Sequence, residues 1–123
     1  MKDQDRLVIG VIYRSPNATD EQNRKLISMI GEITRMQHTE LLIIGDFNYP
    51  GIDWSLETSN GTGQEHEFME GFRDWFLWQH VTEPTRYRLN QRANILDLVM
   101  TNEQAMVENI DYGEPVGKEI IYA

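Results

Sequence analysis

Apolar positions fall along this chain in blocks whose period changes, and those changes delimit its elements. Residues 7–13, Leu7-Val8-Ile9-Gly10-Val11-Ile12-Tyr13, are almost uninterruptedly apolar and rich in β-branched side chains, the pattern of a strand buried on both faces. Arg14-Ser15-Pro16-Asn17 then reads as a turn, because proline presets φ and asparagine tolerates unusual backbone angles. Thr19-Asp20-Glu21-Gln22 fits a capping box, in which a hydroxyl at the helix start and an amide three residues on satisfy free N–H groups reciprocally. The helix so opened is predicted to run to about Met36, with Leu26, Ile27, Ile30 and Ile33 as its apolar face. Gly31 is its weak point, at about 1 kcal/mol relative to Ala.

Leu41-Leu42-Ile43-Ile44 is a second buried strand. Residues 46–53 read as loop, since Asn48, Pro50 and Gly51 do not continue a strand comfortably, and residues 56–63 as an exposed connection. A second helix is predicted from about Gln64 to Trp78, with Phe68, Phe72, Trp75 and Phe76 on one face. Glu65, Glu67 and Glu70 occupy its first turns, where negative charge suits the helix dipole. Short strands follow at 80–82, closed by Pro84, then at 85–89, 95–101 and 106–111, the last before Gly113. The order β-α-β-loop-α-β-β-β implies a layered α/β domain, a sheet covered by helices with antiparallel pairing in its last third. No repeat and no internal linker divides residues 1–123, so a single domain is expected.

Composition narrows the class. The 123 residues are 40% hydrophobic and 10% aromatic, enough large side chains for a core despite a mean hydropathy of -0.53. With no cysteine, disulfides and thiolate metal sites are excluded. This agrees with an intracellular compartment. No apolar run approaches the roughly 18 residues that span a bilayer, and no secretory signal is recognisable. Eleven basic residues against 20 acidic ones give a formal charge of -9, which argues against a non-specific nucleic-acid binder. A metal-assisted phosphodiesterase is compatible with that charge, because its site needs carboxylates and a local basic strip can dock the substrate.

Chemistry concentrates in a few places. Asp46 and Asn48 flank Phe47 just past a hydrophobic strand, where α/β proteins tend to hold ligands. With Gly45 allowing a sharp turn and Phe47 pointing inward, the two polar groups would converge, able to position water, hold a metal or donate to a phosphoryl oxygen. An Asx-turn closing the strand is the plain alternative. Asp97 lies within Ile95-Leu96-Asp97-Leu98-Val99-Met100, and a buried carboxylate needs a partner. That partner is a histidine to orient, a metal, or an ion pair with Arg88 or Arg92. Tyr13 and Arg14 end the first strand and could reach the same rim, although a strand-end tyrosine is commonly a packing residue. Arg86, Arg88 and Arg92, around Tyr87, form a basic cluster suited to phosphate or simply to a solvated hairpin. His38, His66 and His80 are isolated and read as surface residues, Ser15 and Ser55 lack a nucleophile elbow, and no phosphate-cradling glycine loop is present.

Four blocks in this order, Val11-Ile12-Tyr13-Arg14-Ser15-Pro16, Ile43-Ile44-Gly45-Asp46-Phe47-Asn48, Thr85-Arg86 and Ile95-Leu96-Asp97-Leu98-Val99-Met100-Thr101-Asn102, resemble the endonuclease/exonuclease/phosphatase superfamily. The wording is most similar to the apurinic-type endonuclease domain of non-LTR retrotransposons, and the resemblance runs from about Leu7 to Lys118. It implies a four-layer α/β sandwich, of which this chain would hold a part, and a Mg²⁺-dependent enzyme that cleaves a DNA phosphodiester. By that resemblance Asp46 positions the attacking water, Asn48 stabilises the transition state, and both lie near the metal. Tyr13 contacts the scissile phosphate and Asp97 orients a histidine; Arg14 and the Arg86, Arg88 and Arg92 cluster are expected to face the substrate on their charge alone. The family's earlier Asn and metal-binding Glu have no counterpart here, and Gly117-Lys118 is followed by Glu119-Ile120-Ile121-Tyr122-Ala123 rather than Ser-Asp-His. The expectation is therefore the middle of a catalytic domain, with sheet surface left for a partner chain or self-association to cover. Two competing readings are a non-catalytic remnant, serving as a scaffold or serving nothing, and a phosphatase or sphingomyelinase relative.

Overall fold

A computed structural model of the chain describes residues 6–36, 40–60, 63–85, 94–112 and 119–122. Its elements are β1 (Leu7–Tyr13), α1 (Asp20–Arg35), β2 (Glu40–Asp46), α2 (Gly63–Trp75), β3 (Trp78–Gln79), β4 (Asp97–Thr101), a 3₁₀ turn (Gln104–Met106), β5 (Val107–Asp111) and β6 (Glu119–Tyr122). β1, β2, β4 and β3 form one sheet in that order, with β1 parallel to β2 and the other pairs antiparallel, while β5 and β6 form a separate antiparallel pair.

The expected capping box is present. The Thr19 hydroxyl accepts from Gln22 N at 3.1 Å, and the Gln22 side chain accepts from Thr19 N at 2.9 Å. α1 then runs unbroken through Gly31, and its packing explains the glycine. A Cβ there would lie 3.4 Å from Trp75 Nε1 and 3.3 Å from Arg35 Nη1, so the small residue sits where α2 leans on α1. α2 stops at Trp75, three residues before its expected end, because Phe76 turns into a left-handed conformation at φ 56°.

Both helices bury their apolar stripes on one face of the sheet, in a core that includes Ile12, Ile30, Leu41, Ile43, Phe68, Phe72, Leu98 and Met100. Phe68 is its aromatic hub. Ring centroids of Tyr49, Phe47, Trp75 and Trp54 lie 4.6, 5.5, 5.5 and 6.4 Å from it, within the range of favourable ring pairs. The opposite face carries a smaller cluster, Leu42, Val81, Val99 and Met106, packed with Val107, Ile110 and Tyr112. That cover does not extend to β1. Its burial alternates along the strand, with Leu7, Ile9, Val11 and Tyr13 exposed, which corrects the expectation of a strand buried on both faces.

Three boundaries also differ from the sequence pattern. The strand expected at 80–82 is formed two residues earlier, at Trp78–Gln79. β4 starts at Asp97 rather than at 95. β2 continues through Gly45 to Asp46, the residue at which the loop was expected to begin. Glycine is required for that continuation. Gly45 has φ 154°, and a Cβ built there would stand 1.8 Å from the Ile12 carbonyl oxygen of the neighbouring strand. A methyl group at this position must push β1 away from β2. Gly45→Ala is therefore expected to destabilise the protein by about 3 kcal/mol, measured as a lowered urea midpoint. An effect below about 1 kcal/mol would contradict the close strand approach.

Candidate active site

Three of the sequence candidates are brought into one line. Tyr13 pairs with Asp46 across the β1–β2 ladder, and Asp46 pairs with Asp97 across the β2–β4 ladder. Residues paired in register share a sheet face, so the phenol and the two carboxylates form a row at one end of the sheet. Tyr13 is 72% exposed at its outer end. Asp46 and Asp97 are half-buried.

The next residues are fixed by hydrogen bonds. Phe47 N and Asn48 N both donate to the Leu96 carbonyl, at 2.8 and 3.3 Å. Phe47 points into the core as its alternation predicts, fully buried. Asn48 adopts φ 52°, a left-handed conformation that asparagine tolerates better than most residues. Across from it, the Thr85 hydroxyl accepts from Leu96 N at 2.9 Å and Asp97 N at 3.1 Å, setting where β4 begins.

Arg14 has a different place from the one expected. Its guanidinium is buried beneath the site. Nε donates to Asn23 Oδ1 at 3.1 Å, and Nη1 donates to the carbonyls of Phe47 at 3.1 Å and Asn48 at 2.8 Å. Nη2 donates to Gln64 Oε1, and Cζ lies 4.1 Å from the centroid of the Tyr49 ring. The Arg14 carbonyl in turn accepts from Asn48 Nδ2 at 2.5 Å, and Arg14 N donates to the Asp46 carbonyl at 2.8 Å. The residue expected to face the substrate thus holds the turn that carries Asp46 and Asn48.

Asn23, Tyr49 and Gln64 complete this clamp and were not among the candidates. Asn23, fully buried, also accepts from the Tyr49 hydroxyl. Burial raises the Tyr49 pKa well above its ordinary value, with Arg14 opposing the rise, so the phenol stays protonated. Gln64 Nε2 donates to the Ala18 carbonyl and to Asp20 Oδ1, both at 2.9 Å, tying α2 to the start of α1. One signal was available for Asn23: it lies three and four residues before Leu26 and Ile27, on the apolar stripe of α1.

The remaining candidates divide. Arg86, Arg88, Arg92 and His38 lie outside the described residues. His66 sits on the surface as expected, 3.4 Å from Glu70. His80 departs from the surface reading. It is half-buried with Nε2 2.7 Å from Thr101 Oγ1, and since that hydroxyl donates to the Glu103 carbonyl at 2.6 Å, the ring must donate from Nε2. A cavity of about 690 Å³ lies beside Trp54, Asn60, Val81 and Ile95, and among the described residues Asp53 and Glu57 are the charged groups in its wall.

Among the described residues, no three His, Cys, Asp or Glu side chains gather into a metal-binding group. The oxygen donors at the sheet end are the carboxylates of Asp46 and Asp97 and the Asn48 carboxamide. Hard oxygen donors of this kind fit Mg²⁺, which is usually held by one or two carboxylates, waters and substrate phosphate.

The model of the endonuclease-reverse transcriptase family matches residues 7–117. The chain belongs to that family. The match takes in every element from β1 to β5, and with it the row at the sheet end and the clamp beneath it. The mixed four-stranded sheet with two helices gives this endonuclease-reverse transcriptase family member part of an endonuclease/exonuclease/phosphatase-type fold. No curated protein and no solved structure matches the chain significantly. No helix among the described residues is long and apolar enough to cross a membrane.

Two measurements probe these interactions. Arg14→Lys keeps the charge but loses the fork that serves several acceptors, and should lower stability by about 2 kcal/mol in urea titration. Tyr49→Phe, which leaves the Arg14–Asn23 bond in place, should lower it by only about 1 kcal/mol; equal losses would mean that the guanidinium is not the centre of the network. For His80, burial lowers the folded-state pKa below its ordinary value of about 6.5. Above that pH the ring is neutral in both states and its contribution is complete. As the pH falls, the unfolded chain takes up a proton first and stability declines. His80→Gln should flatten the pH dependence of Tm just below pH 6.5 and leave the steeper carboxylate limb at lower pH.

Proposed function

We propose that this chain carries the phosphodiester-cleaving centre of a Mg²⁺-dependent DNA endonuclease of the mobile-element type. The observation that supports this reading best is the row Tyr13–Asp46–Asp97, next to an Asn48 whose backbone the Arg14 clamp fixes. The wider group to which the family belongs generally uses divalent metals.

In this reading each residue has a separate task. Asp46 holds the cation and orients the attacking water. Like charges directly opposite each other on antiparallel strands repel, and Asp46 and Asp97 would be placed to hold a divalent cation, whose charge would offset that repulsion. Asn48 uses one Nδ2–H on the Arg14 carbonyl, which leaves its second N–H to donate to a phosphoryl oxygen. Tyr13 offers its phenol to the scissile phosphate from the exposed end of the row. When bound, the metal supplies Lewis-acid polarisation of the phosphoryl group and lowers the pKa of coordinated water. Arg86, Arg88 and Arg92 are assigned to phosphate docking on chemistry alone, a local exception to the overall charge of -9. A DNA substrate also implies a nuclear site of action.

Binding and cleavage can be tested separately. Mg²⁺ at tenfold its dissociation constant should stabilise the wild type by about 1.4 kcal/mol, with no effect on Asp46→Asn. With supercoiled plasmid and Mg²⁺, the wild type should nick, and Asp46→Ala and Asn48→Ala should each reduce nicking by at least about 100-fold. Nicking that survives Asp46→Ala would remove the assigned centre. Metal stabilisation without any nicking would favour a non-catalytic binding role for the same domain.

A further inference from the structure

A single peptide plane ties together two of the residues at the sheet end. The group between Leu96 and Asp97 turns its carbonyl toward the turn after β2, accepting from Phe47 N at 2.8 Å and Asn48 N at 3.3 Å. Its N–H, which belongs to Asp97, donates the opposite way, to Thr85 Oγ1 at 3.1 Å. A peptide unit is planar and stiff, so these bonds grip one plate from both sides. Asp97 leaves the plate at its Cα, and Asn48 is bonded to its far edge. Thr85 Oγ1 also accepts from Leu96 N at 2.9 Å, which occupies both lone pairs of the hydroxyl oxygen. Thr85 does not need that hydroxyl to reach its place. Its own backbone N–H donates to the Asn94 carbonyl at 2.9 Å.

Resting on the endonuclease function proposed above, we propose that Thr85 is a positioning residue for phosphodiester cleavage, setting Asp97 and Asn48 together through the 96–97 peptide. Its oxygen fixes the tilt of the plate, and the plate fixes the Asp97 Cα and the Asn48 N–H at once. Hydrogen bonds in such a chain polarise one another, so loss of the Thr85 acceptor also weakens the carbonyl's hold on the turn. Asn48 is sensitive to that loss, because its φ of 52° is kept only while its surroundings enforce it. The Arg14 clamp holds the same turn by the carbonyls of Phe47 and Asn48. Thr85 acts on the amides of those two residues, from the side of β4. Valine matches threonine in shape but offers no acceptor, whereas serine keeps the oxygen.

Plasmid nicking by the full chain with Mg²⁺ tests this, comparing Thr85→Val and Thr85→Ser, with Thr85→Val also made in an Asn48→Ala background. Thr85→Val should lower kcat about 10- to 100-fold and leave KM within about twofold, as when reacting groups are misplaced but binding is intact. Thr85→Ser should stay within about threefold of the wild type. In the Asn48→Ala background the cost of Thr85→Val should shrink by at least about threefold, because part of its route is already gone. An equal cost in both backgrounds, or a serine as damaging as the valine, means a merely structural role and overturns the proposal. Native-state hydrogen exchange gives a readout independent of cleavage. Thr85→Val should speed exchange of the Asn48 amide at least about fivefold relative to Ile43, a fully buried residue of β2, and Thr85→Ser should not. Thr85→Ala removes the same oxygen and takes the place of Thr85→Val if that variant does not fold. A wild type that does not nick removes the endonuclease reading, and the hold of Thr85 on Asn48 is then decided by exchange. Unchanged relative exchange at Asn48 overturns the proposal whatever the nicking assay shows.

Discussion

A guanidinium taken out of water keeps its charge, so the protein must surround it with acceptors or lose stability. Arg14 meets that demand by drawing on three separate parts of the chain. Asn23 comes from α1, Gln64 from α2, the carbonyls of 47 and 48 from the turn after β2, and the Tyr49 ring lies against one face. Each acceptor is fixed by an element that also packs in the aromatic core. The position of the candidate site is therefore not a local property of its loop. It depends on α1, α2 and two strands meeting at one cation.

Much of the fold was legible in the sequence because its main signals are local. The capping box of Thr19 and Gln22, the apolar stripes of α1 and α2, and the apolar run of β2 each follow from spacing over a few residues. The misread features depend on neighbours distant in sequence. Nothing near Leu7 shows which sheet face the β5–β6 pair will cover. Phe76 fits the apolar stripe of α2, yet the helix ends before it with the backbone in a left-handed turn. Asp97 looked interior to a strand, whereas the Thr85 hydroxyl makes it the first residue of β4.

The site was legible in part for the same reason. Tyr13 and Asp46 could be singled out by residue type and strand end, and Asp97 as a carboxylate inside an apolar run, but their alignment is a matter of register across three strands. Arg14 was the harder residue to place, because a basic residue beside a phosphate-type motif has two uses, and sequence distance does not choose between them. Asn23 chooses. An amide on an otherwise apolar helix face needs a buried polar partner, and Arg14 is that partner.

The Gly45-to-Asn48 segment separates into letters with different dependencies. Gly45 permits the close approach of β1, Phe47 fills the core, Asn48 holds the backbone of Arg14, and Asp46 stands in register between Tyr13 and Asp97. Whatever the sheet end does, any descendant of this chain needs Gly45 and Phe47 to fold. Drift should therefore be uneven within four consecutive codons, with those two letters the slowest to change.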